Sequence, residues 1–174
     1  MNVFYTNRSP VQSAREHCRV HVNKMILEYS QLLSTAHRVI DGDEYAERTG
    51  LYRKTHVNHP SAVWCRESEK HYEWLYDCLL ELHSIYTSIS GKVHASSRLL
   101  DPLSKVPGGV IDRGFVAPTP AMPDEYRCGD VDIAYQNYLS DKFFEWQSRD
   151  KPVKVEFPCG VPNWYFKESI KEAA

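Results

Sequence analysis

The sequence predicts a mainly α, single-domain protein, a bundle of three main helices with a long, Pro-rich, ordered insert. Three observations lead there. Cys18, Val22, Met25, Tyr29, Leu32 and Ala36 recur at steps of four and three, which keeps side chains on one face of a 3.6-residue helix. Further apolar and aromatic stripes run from Trp64 to Ile85 and from Tyr135 to Phe143. With 174 residues, 42% of them hydrophobic and 25% charged, the chain can bury one core and is short for two domains.

Val3, Phe4 and Tyr5 form an apolar triplet suited to an extended lead-in. Ser9, Pro10 and Gln12 then signal a helix start, with Ser as N-cap, Pro at the first helical position and Gln completing a capping box. This helix is expected to run from Pro10 to about Val39, a length of roughly 45 Å, and to stop before Asp41 and Gly42. A polar stretch with Thr55, His56, Val57, Asn58 and His59 leads to Pro60, where a second helix begins. Its expected buried positions are Trp64, His71, Trp74, Leu75, Cys78, Leu82 and Ile85, and Gly91 ends it. A polar loop between two long helices predicts an antiparallel pair.

From Leu99 to Gly129 the chain carries Pro102, Pro107, Pro118, Pro120 and Pro123 and the pair Gly108 and Gly109. A structureless loop of this length in a compact domain is either functional or a sign against the element assignment, and here it is expected to be ordered. Val110, Ile111, Phe115, Val116 and Met122 are its expected apolar anchors. Asp130 then caps a third helix reaching about Gln147, with Tyr135, Tyr138, Leu139 and Phe143 on one face. The tail, with Pro152, Pro158 and Pro162, reads as irregular until a short final helix holding Phe166 and Ile170.

No apolar run approaches a membrane span, and the N-terminus lacks the layout of a signal peptide, so a cytoplasmic protein is expected. Five cysteines, odd in number and without a Cys-x-x-Cys pair, read as reduced thiols. A formal charge of −2 argues against strong nonspecific nucleic-acid binding. The total conceals a basic bias in the first third, from Arg8, Arg15, Arg19, Lys24, Arg38, Arg53 and Lys54.

One residue behind the first apolar stripe lies a polar one, His17, His21, Lys24, Glu28 and Gln31. Imidazoles, an ammonium, a carboxylate and an amide at the margin of a buried face could line a site, although a solvated helix face shows the same pattern. His17 and His21 at i,i+4 would suit two ligands of one metal, with His56 and His59 adding more. The pair lacks the His-Glu-x-x-His order, since Glu16 precedes His17, and hydrogen bonding explains it more simply; no metal and no cofactor is assigned. Asn58, His59 and Pro60 at a helix start, with Trp64 and Arg66 one turn on, could bind an anion or phosphate, or could be a plain cap. The phrase Ala121, Met122, Pro123, Asp124, Glu125, Tyr126 could close over a pocket or serve as a rigid connector.

On these residues the chain resembles the phage pyrimidine-dimer DNA glycosylases of the endonuclease V type. The shared features are a first helix with His21 followed seven residues later by Glu28, the His59-Pro60 helix start with Trp64 one turn on, and a late aromatic-basic segment, Asn163, Trp164, Tyr165, Phe166, Lys167. The resemblance covers the first two helices and, loosely, the C-terminus, and leaves out the Pro-rich insert. The whole chain is also similar to uncharacterised phage-encoded proteins that share the opening, the Asn-His-Pro segment and the Ala-Met-Pro-Asp-Glu phrase.

The resemblance implies cleavage of an N-glycosidic bond in DNA or a nucleotide. It assigns acid/base work to Glu28, orientation or phosphate binding to His21 and Lys24, and base stacking to Trp64. The family's nucleophile is the α-amine of a threonine exposed by loss of the initiator methionine. Here the bulky Asn2 retains Met1, so the implied nucleophile is the Met1 amine or is absent. The family's basic residues beside the glutamate correspond to Leu27 and Gln31. The alternative is a phage protein that holds a nucleotide or nucleotide-derived signalling molecule in the same pocket without turnover, through His17, Lys24, His56, Asn58, His59, Trp64 and Arg66. The expected partner is DNA or a nucleotide, with no membrane.

Overall fold

The computed structural model describes residues 1–165 and is mainly α, with seven α-helices and no strand among those residues. The helices are α1 (Pro10–Arg15), α2 (Arg19–Ile40), α3 (Asp43–Arg48), α4 (Pro60–Glu67), α5 (Glu69–Ser90), α6 (Leu100–Leu103) and α7 (Val131–Gln147), with short 3₁₀ turns at Ala95–Leu99 and Asp124–Tyr126. The expected final helix with Phe166 and Ile170 lies outside the described residues. No helix among the described residues is long and apolar enough to cross a membrane.

The frame is α2 against α5. Val22, Met25, Tyr29, Leu32 and Ala36 of α2 are completely buried, as are Leu75, Cys78, Leu79 and Leu82 of α5, in one apolar cluster with Tyr135, Leu139 and Phe143 of α7. The apolar periodicity therefore identified the packed faces. Cys18, Cys65 and Cys78 are buried and all five thiols are free; burial pushes the Cys65 thiol up to about 12, so it is inert at neutral pH.

The two long helices of the sequence are each broken once. The first stops at Arg15 and restarts at Arg19, because Cys18 is extended (φ −69°, ψ 158°) and offers no capping side chain. The tail supplies the missing acceptor, with the Arg19 N–H donating to the Glu156 carbonyl at 2.7 Å. The second breaks at Ser68, also extended, and there the Glu69 N–H donates to the Ile111 carbonyl at 3.2 Å. At both breaks a distant segment takes a helix N–H that the preceding turn has given up.

Helix ends otherwise follow local chemistry. The Ser9 hydroxyl accepts from the Gln12 N–H, but Gln12 turns its amide to Glu16, so the capping box is only half formed. His59 caps α4 through Nδ1, which accepts from the Ser61 N–H at 3.2 Å. Gly91 ends α5 in the left-handed region at φ 64°. Asp130 stands at the N-cap of α7 without a side-chain capping bond.

Arg38, buried at the end of α2, holds α3 and the segment after it. Its Nε donates to the Tyr52 carbonyl at 2.6 Å and Nη2 to the Leu51 carbonyl at 3.1 Å, while Nη1 donates to Asp43 and Nη2 also to Glu47. Arg38→Ala leaves two carbonyls to find water and is expected to cost about 2 kcal/mol, read as a lower urea midpoint.

The insert is ordered, in part by the apolar anchors expected of it, since the Phe115 ring packs against Tyr5, Trp64, His71 and Trp74. Of these only Met122 is buried; Ile111 is 59% and Val116 66% exposed, and Phe115 is 41% exposed. Polar bonds to the α4–α5 corner hold the segment as well. The Ser68 hydroxyl donates to the Gly114 carbonyl and accepts from the Arg113 N–H. His71 donates from Nδ1 to the Trp64 carbonyl and accepts the Val116 N–H at Nε2, and Trp64 Nε1–H donates to the Val116 carbonyl at 2.8 Å. Bonds from side chains to the insert backbone at Arg113, Gly114 and Val116 could not have been read from hydropathy.

Candidate functional site

The lead-in lies against α2, and its first residues meet Glu28. Its position is fixed by a chain of hydrogen bonds through the core. The Phe4 N–H donates to the Tyr29 hydroxyl, which donates to His17 Nε2 at 3.3 Å, and His17 Nδ1 donates to the Ser13 carbonyl at 2.8 Å. That direction requires a neutral His17, and burial pushes its pKa down to about 4. Farther along, Ser13 Oγ donates to the Phe4 carbonyl, and the Thr6 carbonyl accepts from Gln136 of α7.

Asn2 is held from three sides. Its Nδ2 donates to the Ala121 carbonyl, and its Oδ1 accepts from the Tyr135 hydroxyl at 2.7 Å and from the Val3 N–H. The Asn2 N–H donates to Glu28 Oε2 at 3.2 Å, and the Met1 amine lies 3.9 Å from the same oxygen. Lys24 Nζ reaches the other oxygen, Oε1, at 3.5 Å. The Glu28 side chain is 16% exposed, so it is sheltered while still reached by solvent, whereas Lys24 stands out at 57%.

His59 belongs to this neighbourhood. Its pKa is lowered first by partial burial, then by the positive Met1 amine and His56, against the opposing pull of Glu28. Of the residues selected from sequence, Glu28 thus meets the first residue of the chain, Lys24 meets Glu28, and His59 is close enough to feel the Met1 amine, His56 and Glu28. Asn58 is exposed on the same loop.

Four others lie elsewhere. His21 stands two turns, about 10 Å of helical rise, before Glu28. It is buried, with ring centroids 4.7 Å from Phe4, 5.2 Å from Phe143 and 5.3 Å from Trp146. Its Nε2 is buried without a partner among the described residues, and burial holds the ring neutral. His17 is a link in the hydrogen-bonded chain above. Trp64 stacks on His71 at 4.8 Å and bonds the insert, and at 2% exposure it presents no face to a base. Arg66 donates to the Ala62 carbonyl and lines a separate cavity with Arg113.

His17 and His21 do not form a metal pair either, since their rings are 6.4 Å apart and both nitrogens of His17 are engaged. No group of three or more His, Cys, Asp or Glu that could hold a metal ion occurs among the described residues. The site residues missed in sequence are Asn2, Tyr29 and Tyr135. Their partners lie 133, 25 and 14 residues away, and no local pattern marks such contacts. Compared with known protein families, characterised proteins and solved structures, the chain shows no match.

Proposed function

We propose that the chain cleaves an N-glycosidic bond of a DNA base or nucleotide, with Glu28 as the acid/base group and the Met1 amine as the attacking nitrogen. The observation that carries this reading is the approach of the amine to 3.9 Å from a sheltered carboxylate. An amine must shed a proton to attack C1′; a carboxylate in contact with it can accept that proton, pass it to the departing base as the C1′–N bond breaks and, anionic again, stabilise positive charge at the sugar. Lys24, more exposed than Glu28, would meet a phosphate of the strand in this scheme. His21 and Trp64 have no contact role in this scheme; His21 packs beneath Phe4 and Trp64 fixes the insert.

The test is borohydride trapping on duplex DNA that contains a thymine dimer or an abasic site. A covalent complex mapped to residue 1, lost after amine acetylation or after extension of the N-terminus, is the expected result. Glu28→Gln is expected to slow base release by about 10² or more, with a thermal midpoint close to that of the unmodified protein because shape is kept. Trapping that survives acetylation would move the chemistry to a lysine.

One feature favours a second reading, in which a nucleotide is held beside Glu28 without turnover. Positions 27 and 31 carry Leu and Gln, and Leu27 is 40% exposed, so no cation supports a DNA strand at either. Saturable nucleotide binding that is lost in Glu28→Gln, with no covalent complex on either DNA, would establish that reading over the first.

A further inference from the structure

A cavity of about 560 Å³ opens between α4, the start of α5 and the insert, away from Glu28. Its volume falls within the usual range for small-ligand sites. Ile40 and Val63 contribute apolar wall, and Arg66 of α4 and Arg113 of the insert also line it. Neither guanidinium has a carboxylate partner among the described residues; Arg66 donates only to the Ala62 carbonyl there.

We propose that this cavity binds a phosphoryl group, as a phosphomonoester or phosphodiester, between Arg66 and Arg113. Two guanidinium forks on separate elements offer more donors than a carboxylate can accept, and a phosphate has oxygens enough for both. The frame is set beforehand. The Arg113 N–H is fixed to Ser68 Oγ at 3.0 Å, and Ser68 in turn donates to the Gly114 carbonyl at 2.7 Å. Close approach of the insert to α2 shapes the wall, since a Cβ on Gly109 would meet Ile40 Cγ2 at 2.9 Å. Glu67 on the same rim offsets one of the two charges, which disfavours polyphosphates and leaves room for a single phosphoryl group. This site does not depend on the reading of Glu28.

The test is titration of the ¹⁵N-labelled full chain with thymidine, thymidine 5′-monophosphate and a trithymidine with only internal phosphodiesters. Saturable shifts in amides of residues 66–71 and 109–116 with either phosphorylated ligand, and none with thymidine, are expected. Arg113 is exposed, so Arg113→Gln should keep the rest of the spectrum and weaken binding about tenfold or more. Tighter binding of the monoester would identify a free nucleotide as the source, and tighter binding of the diester a nucleic-acid strand.

No shift with either phosphorylated ligand up to about 10 mM, where a two-arginine site should be occupied, would overturn the proposal. So would equal binding of thymidine, or unchanged affinity in both Arg113→Gln and Arg66→Gln. Glu28→Gln should bind as the unmodified protein does, which keeps failure here separate from failure at Glu28.

Discussion

Leu32→Ala is expected to lower the unfolding free energy by about 2 to 5 kcal/mol, from lost transfer energy plus the cavity left behind. Leu32 is completely buried on the face of α2 that packs against α5. Its neighbours on both helices are themselves buried and hydrogen-bonded within their helices, so the wall has little freedom to collapse inward. Urea unfolding should show a lower midpoint with an unchanged slope, the sign of altered stability without an altered end state. A loss below about 1 kcal/mol would mean that the α2–α5 packing relaxes around the gap.

Acidification is expected to remove on the order of 3 kcal/mol through His17 alone. Burial lowers its pKa to about 4 in the folded protein, against 6.5 for an unconstrained histidine. Between those values the unfolded chain binds a proton that the folded protein refuses. Stability is therefore full above about pH 6.5, declines as the pH falls and levels off below about pH 4. His21, lowered well below its ordinary value by burial, and His83, lowered to about 4 by burial and by His94, act in the same direction.

Urea unfolding at pH 7 and pH 4.5 measures the effect. His17→Gln keeps a donor for the Ser13 carbonyl and an acceptor for the Tyr29 hydroxyl but cannot titrate, so its loss between the two pH values should be smaller by about the His17 share. Equal losses in both proteins would assign the acid sensitivity to other groups. Protonating His17 also cuts the bond from Tyr29 that helps to seat Phe4. Under the proposed mechanism, trapping at residue 1 should then fail at a higher pH than global unfolding.

The candidate site was legible in part, and the division follows from physics. Glu28 and Lys24 sit one turn apart on a helix whose period fixes which side chains share a face, so their pairing needed no tertiary information. His17 and His21 share that face, yet the same period cannot say how far the face is covered. The lead-in crosses it at Phe4, burying both histidines and leaving Glu28 at the open end. Trp64 and Arg66 stood one turn beyond His59, but their direction depended on where the insert came to rest.

By itself the sequence determined the mainly α fold, the buried faces of α2, α5 and α7, and the helix ends at Ser9, Pro60 and Gly91. Each of these is a local matter of period, capping or backbone freedom. The tertiary structure decided the breaks before Arg19 and before Glu69. A helix interrupted without capping exposes N–H groups, and nothing local recommends it. The break becomes favourable only when the carbonyls of Glu156 and Ile111, 137 and 42 residues farther along the chain, arrive to accept those donors. The meeting of Met1 with Glu28 was settled in the same way, by contacts of Asn2 with Ala121 and Tyr135 that exist only in the folded chain.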